Sequence, residues 1–486
     1  MKKLLSIVLS MLILSIVFVG CDGKNSSTAS PNSTPSDISN SDTSDDNFED
    51  QNTTPSHIMI SNPTVSAEQI QYYTPTSLTL SFYDTNTSSY GFTWNTEFEP
   101  KEAVIQICEG YSFDESKCKE YKATVKKEVV LMPRTTYIYV CKVSITLNQN
   151  KTYVYRAFDK TSGVGSELAT FKTANLKSNS FKFVHISDSQ VASSALDTKH
   201  TAEGTGEYLT DTLKGVFQNM PNFMIHTGDF VENSAYETYW KNMLHTNAQY
   251  LARLPVMALS GNHETTYLAG SNETFKHFNV KMPNQTTDLG YYYSFDYGNT
   301  KFIMLNTNNL ENNRLETAQY NWLVNELKNN NKKWTIVSMH NPMYSVGKYG
   351  ADSSKNAKSL ALREQLGKLF AEYKVDLVLQ GHDHAYSKTY PISANGKADK
   401  LPTYKTENSI KYTVNPKGTI YAMHGPAGNQ SRYPFEVDPN LYEFASGSKE
   451  CSWAEVSIEN NRLTVQIKYY KNSQVETAYS YGIIKN

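Results

Sequence analysis

The sequence predicts two folded units in series, an all-β sandwich and then a larger α/β domain, behind an export signal and a polar linker. Three observations carry this reading. Short alternating apolar runs separated by Asn/Gly/Pro-type turns fill residues 58–176, and no amphipathic helix of respectable length interrupts them. From residue 177 onward, strand-like and helix-like segments alternate, as they do where helices pack over sheets. At 486 residues the chain exceeds one ordinary domain, and its hydrophobic fraction of 39% supplies apolar surface for sizeable cores.

At the N-terminus, Lys2 and Lys3 precede an apolar run from Leu4 to Gly20 that ends at Cys21. A positive start, an apolar stretch and a small residue at the cut read as an export signal. Phe18-Val19-Gly20-Cys21 resembles a bacterial lipobox, in which Cys21 becomes the lipidated N-terminus. Read instead as an uncleaved anchor, the same run barely spans a hydrocarbon core of roughly 30 Å. Both readings place the rest of the chain outside the cytoplasm, and the first tethers it to the outer face of the cell membrane as a lipoprotein. Residues 22–57 are Ser, Thr, Asn, Asp and Pro with almost no apolar side chains. They cannot bury enough surface to offset ordering entropy, so a disordered linker reaching roughly 30 Å is expected.

The sandwich, residues 58–176, draws its strands from Leu78–Phe82, Tyr90–Trp94, Ala103–Ile107, Tyr137–Ile145 and Thr152–Phe158. Beyond Cys21, the cysteines Cys108, Cys118, Cys141 and Cys451 allow three connectivities if all pair. Cys108 and Cys118 are near enough to close a small loop in an oxidising compartment; free thiols are the other reading. No Cys/His spacing suggests structural zinc.

The α/β domain, residues 177–486, opens with strand Phe181–Ile186, a helix near Glu207–Gln218 and strand Phe223–His226. A helix near Tyr236–Leu251 and strands Val256–Leu259, Tyr291–Phe295 and Phe302–Leu305 follow. Helices near Ala318–Lys328 and Ser359–Tyr373 flank strand Thr335–Met339 and precede strand Leu377–Gln380. The tail returns to strands at Thr419–Met423, Ser452–Ile458, Leu463–Tyr470 and Glu476–Ile483. A formal net charge of −2 gives no global reason for nucleic-acid binding, so any attraction for an anionic substrate must be local.

Five short segments each place a metal-ligand residue directly after a buried apolar strand. They are Ser187-Asp188-Ser189-Gln190, Gly228-Asp229, Gly261-Asn262-His263-Glu264, Met339-His340-Asn341-Pro342 and Gly381-His382-Asp383-His384. Ligands collect at the carboxyl ends of strands in open α/β sheets, so loops in this position converge. A mixed oxygen and nitrogen set of this kind suits paired divalent ions such as Fe, Mn or Zn. Singly, each segment is weak; their order along the chain is very specific.

That order resembles the calcineurin-like metallophosphoesterase superfamily, and within it the purple-acid-phosphatase-like enzymes with an N-terminal fibronectin-III-like domain. The resemblance runs from about Ser77 to the C-terminus and includes His340-Asn341-Pro342-Met343-Tyr344 and Lys374–Tyr386. It implies a four-layer αββα sandwich behind the all-β domain and two divalent metal ions acting on a phosphate ester. Asp188, His384 and Gln190 would hold the first metal, Asp229 would bridge, and Asn262, His340 and His382 would complete the second site. A hydroxide between the metals would attack phosphorus, with His263 stabilising charge and protonating the leaving group.

Three departures qualify the resemblance. Three residues after the bridging Asp, the purple enzymes carry the Tyr that colours their iron; here Glu232 stands there, so a purple ferric site is not expected. Two residues after the first Asp, many relatives carry His; here Gln190 offers a weaker amide oxygen, to the metal or to a water on it. Asn341 also stands where many relatives carry Arg, so one phosphate clamp is missing. His185 and His226 read as packed residues, and Glu264 as a brace for the Asn262 loop. His424 is a marginal candidate near the site, and Tyr344, Tyr386 and His277 are candidates to line a substrate groove.

The expected function is phosphomonoester hydrolysis outside the cell. The rivals are a diesterase acting on nucleotides, envelope polymers or lipid headgroups, a surface-binding protein with an inactive domain, and an adhesin built on the sandwich.

Overall fold

Side-chain alternation decides how the strands of the α/β part are layered. The computed structural model describes residues 63–131, 135–192, 206–265, 273–283, 291–347, 356–428, 437–447 and 450–486. The expected export signal, Cys21 and the linker lie outside these residues. Among those described, no helix is long and apolar enough to cross a membrane.

Strand Ser180–Ile186 is buried on both faces: Phe183 enters one core and Val184 another, because successive side chains point to opposite sides of a sheet. Phe302 and Ile303, and Leu377 and Val378, divide in the same way. Such strands read as continuous apolar runs because both of their faces are covered.

Two sheets result. One has eight strands, in the order Val256–Ala258, Phe223–His226, Ser180–Ile186, Ser452–Glu459, Arg462–Lys471, Gln474–Ile484, Ile410–Val414 and Tyr404–Glu407. The other has seven, in the order Tyr293–Tyr297, Thr300–Leu305, Trp334–Met339, Leu377–Gln380, Ile420–His424, Tyr386–Thr389 and Tyr442–Ser446. Their inner faces share one core, in which Phe183 stacks on Phe223 at 5.2 Å and Phe302 meets both rings edge-on. Helix Glu207–Phe217 covers the outer face of the first sheet, and helices Thr317–Lys328 and Ala357–Glu372 cover the second. This is the four-layer αββα arrangement.

The expected helix over Tyr236–Leu251 is broken into Glu237–Trp240, a π-turn at Lys241–His245 and Ala248–Leu251. Asn247 is buried and its amide donates to the Met243 carbonyl, a side-chain bond that competes with the helical ladder.

Ahead of these layers stand a four-stranded sheet (Thr76–Phe82, Ser89–Thr96, Thr136–Thr146, Thr124–Val130) and a five-stranded one built on Ala103–Glu109 and Thr152–Asp159. A seven-residue helix, Ala67–Tyr73, precedes them and was not part of the all-β expectation. Cys108 and Cys118 form a disulfide, and Cys141 is a buried thiol. The sandwich does not hang on a tether. Phe82 packs edge-on against Phe223 at 5.5 Å, inside the inter-sheet core. Tyr155 Oη donates to the Ala252 carbonyl at 2.7 Å, Ser81 Oγ to Val256 at 2.8 Å and Lys142 Nζ to Phe278 at 2.9 Å.

Candidate metal centre

All five motif segments leave the carboxyl ends of parallel strands. Ser180–Ile186, Phe223–His226 and Val256–Ala258 pair in parallel and deliver Asp188, Asp229 and Asn262 from one sheet. Trp334–Met339 and Leu377–Gln380 pair in parallel and deliver His340, His382 and His384 from the other. The first two loops are zipped together by Asp188 N–H to Gly228 C=O (3.0 Å), Gln190 N–H to Asp229 C=O (2.9 Å) and Val191 N–H to Phe230 C=O (3.0 Å).

The chain turns each side chain inward by leaving extended backbone abruptly. Asp188, Gln190, Asp229 and His382 all have positive φ, at 53°, 39°, 56° and 75°. Non-glycine residues rarely occupy this region, and four at one site mark strain held by the surrounding fold. Gly228 has φ 106°, and a Cβ there would meet Gly261 N at 2.4 Å. At Gly261 a Cβ would sit 2.0 Å from Asp229 Oδ1. The glycines before Asp229 and Asn262 are therefore demanded by close backbone approach.

Donor atoms of Asp229, His340 and His382 lie within 4.8 Å of one another. Asp229 divides its oxygens: Oδ1 accepts His263 N–H at 2.9 Å, while Oδ2 faces His340 Nε2 at 3.3 Å and His263 Nε2 at 3.9 Å. Both Asp188 oxygens accept the His382 N–H at 3.1 and 3.0 Å, and His384 Nε2 stands 3.9 Å from Oδ1. His340 Nδ1 donates to the Thr227 carbonyl at 2.9 Å, which leaves Nε2 to face Asn262 Oδ1 at 3.0 Å and Asp229 Oδ2. A lone pair, an amide oxygen and a carboxylate oxygen thus converge, and only a cation or an extra proton satisfies them together. Without an ion, His340 supplies the proton. Burial lowers its pKa, but Asp229 and Asp188 outweigh burial and lift it to about 9. The donor set fits divalent ions.

His263 Nδ1 donates to the Glu232 carbonyl at 2.6 Å, and Gln190 Nε2 lies 2.8 Å from His263 Nε2. Gln190 Oε1 is buried with no hydrogen-bond partner, an orphan acceptor of the kind a metal or its water would satisfy. Burial lowers the His263 pKa, but Asp229 and Glu232 outweigh it and raise the value above the ordinary one. Glu264 is fully buried and gathers the N–H groups of Gly261 (2.7 Å), Asp229 (2.8 Å) and Phe230 (2.9 Å). It braces the Asp229 and Asn262 loops together.

Other expectations fare differently. His226 donates to Ser189 Oγ, stacks on Phe230 and stays in the packing. His185 and His424 bond each other through their Nδ1 atoms at 2.8 Å, with Thr227 Oγ1 and Tyr481 Oη at the outer ends. Burial keeps both rings neutral, and His424 lies behind the site. His277 does not line a groove: it sits at the sandwich contact, between Asn95, Glu237 and Trp240. Tyr344 and Tyr386 are also buried in packing, the first under Arg363 at 3.8 Å. Sequence reasoning missed two roles, Thr227 as the carbonyl that orients His340 and Glu232 as the carbonyl that orients His263. Neither residue type carries a signal for a backbone role.

Residues 181–386 match the family model of the calcineurin-like phosphoesterases. Purple acid phosphatase 23 of Arabidopsis thaliana is 26% identical over 307 residues, covering 58% of this chain and 61% of that protein. Acid phosphatase type 7 of Homo sapiens is 27% identical over 260 residues, covering 50% of this chain and 56% of that protein. The match therefore spans less than two thirds of either relative's own length. Among solved structures, a purple acid phosphatase from yellow lupin (Lupinus luteus) seeds superposes with a TM-score of 0.69 at 20% identity. That superposition covers 85% of this chain and 75% of the lupin chain, and it shows the shared fold.

Proposed function

Residues 181–386 being a calcineurin-like phosphoesterase domain, we propose that the chain is a metal-dependent hydrolase of phosphate esters, acting on monoesters outside the cytoplasm. One observation carries the reading: His340 Nε2, Asn262 Oδ1 and Asp229 Oδ2 converge on one point, where a cation or an extra proton is needed to satisfy them. Asp188, Gln190 and His384 would hold one divalent ion and Asn262, His340 and His382 the other, with Asp229 between. When bound, such ions supply Lewis-acid charge for phosphoryl oxygens and lower the pKa of water toward neutrality.

The protein's own residues do the rest. Thr227 and Glu232 carbonyls fix the tautomers of His340 and His263. Asp229 Oδ1 is tied to the His263 backbone, so its Oδ2 alone turns to the cluster. His263, partly exposed at the edge of the site, is placed to give a proton to a leaving alkoxide. Export and anchoring through Cys21 are supported by the N-terminal pattern, and the Cys108–Cys118 disulfide suits an oxidising compartment.

The test is turnover of p-nitrophenyl phosphate against its bis ester, with Mn, Zn or Fe added. Faster hydrolysis of the monoester supports the reading, faster hydrolysis of the diester replaces it with a diesterase, and no turnover of either by metal-loaded protein removes it.

A further inference from the structure

The residue after His340 is Asn341, and its side chain holds a cation that no motif contains. Asn341 is buried; its N–H donates to Thr307 Oγ1 at 2.9 Å, and its amide nitrogen donates to the Thr307 carbonyl at 2.8 Å. Its Oδ1 is thereby turned toward Lys358 Nζ, at 3.2 Å. Lys358 lies in the first turn of helix Ala357–Glu372. That turn is pinned to the same strand-end loop: Ser359 Oγ donates to the Pro342 carbonyl at 2.6 Å, and Arg363 Nε donates to Met343. The ammonium therefore cannot drift far from the loop that carries His340.

Lys358 is half-buried, and among the described residues it forms no ion pair with any carboxylate. Burial draws its pKa below the ordinary lysine value. A half-buried cation with no carboxylate partner among the described residues, one residue's side chain away from His340, can take up an anion.

Resting on the phosphoesterase reading above, we propose that Lys358 is a substrate-positioning residue whose ammonium, aimed by Asn341 Oδ1, binds a non-bridging phosphoryl oxygen and favours dianionic monoesters over monoanionic diesters. An ammonium is a compact point charge, so it rewards total charge on the phosphoryl group more than planar bidentate geometry.

The experiment compares the metal-loaded full chain with Lys358→Gln and Lys358→Arg. It reads KM and kcat on p-nitrophenyl phosphate and on the bis ester, the Kd of inorganic phosphate by calorimetry, and metal content. Losing a charge-assisted bond is expected to raise the monoester KM and the phosphate Kd about 10-fold or more in Lys358→Gln. The diester KM should change less, metal content should not change, and Lys358→Arg should recover most of the loss. Unchanged KM and Kd at full metal occupancy would overturn the proposal, as would equal losses on both esters or a fall in kcat alone. Calorimetry separates the two readings. A chain that binds phosphate through Lys358 yet hydrolyses neither ester loses the enzymatic reading and the ester preference, and keeps only the phosphate contact of Lys358.

Discussion

Gln190 Nε2 lies 2.8 Å from His263 Nε2, and the other end of the same amide, Oε1, is buried without a partner. With His263 Nδ1 already donating to the Glu232 carbonyl, this orientation of the Gln190 amide pairs with the neutral ring, whereas Asp229 and Glu232 favour the charged one. A Gln190 that offers Oε1 to a cation therefore holds His263 in its proton-poor form. Only when the amide turns over does His263 gain an acceptor for an Nε2 proton. Ligation by Gln190 and acid catalysis by His263 compete.

This competition predicts a shift in the pH–rate profile. Asp229 and Glu232 already raise the His263 pKa against the effect of burial. Activity that needs protonated His263 is lost as pH rises through that value, above the ordinary histidine range. Removing the amide that favours the neutral ring, in Gln190→Ala, should move the alkaline limb of kcat/KM further upward. Glu232→Gln should move it down. A limb that stays in place in both variants would show that neither group governs the proton.

Asp229→Asn should remove at least one metal equivalent and lower turnover by about 100-fold or more, since even outer partners of metal ligands cost 10- to 100-fold. Metal analysis and kinetics on one preparation check this. Full occupancy with full activity would sink the bridging assignment.

Glu264→Ala should destabilise the fold by about 3 kcal/mol, measured by denaturant titration, because it strands backbone N–H groups of Gly261, Asp229 and Phe230. Those groups carry the two loops, so metal affinity should fall with stability.

Glu237 predicts a pH-dependent stability with an unusual sign. Burial pushes its pKa from 4.5 up to about 8, against the Asn95 hydrogen bond. Below pH 4.5 it is protonated whether the chain is folded or not. As pH rises from 4.5 to about 8, the unfolded chain releases this proton while the folded chain retains it. The Glu237 contribution to stability is thus present at low pH and lost at a slope of about 1.4 kcal/mol per pH unit. Glu237→Gln should melt higher than the parent at pH 8 and near it at pH 4.5. Parallel melting curves across that range would contradict the assignment.

Much of this was legible in the sequence because the signals are local. Each motif pairs an apolar strand with a Gly and a ligand residue, and those short segments locate Asp188, Asp229, Asn262, His340, His382 and His384 in one place. Strands Tyr386–Thr389 and Tyr442–Ser446 were not legible. Their pairing brings Lys388 onto Glu443 as a buried ion pair, so the sequence looks polar where the structure is core. The His185–His424 pair joins residues 239 positions apart, and Asn95 meets Glu237 across 142. Contacts of that span leave no periodicity to read. Lys358 gave no sign either, since a lysine in a first helical turn normally faces water.

The ring of Phe82 in the inter-sheet core has a consequence for how this protein can be cut or recombined. Because that core is completed by a side chain from the sandwich, the sandwich is not an exchangeable cassette. Excising it would strip Phe223 of one of its aromatic partners and leave the carbonyls of Ala252, Val256 and Phe278 without their donors. Insertions and fusions should leave the described residues of the sandwich, from Pro63 onward, joined to the layers behind them. Swapping the sandwich for one from a relative would require a partner that also presents an aromatic ring at that spot.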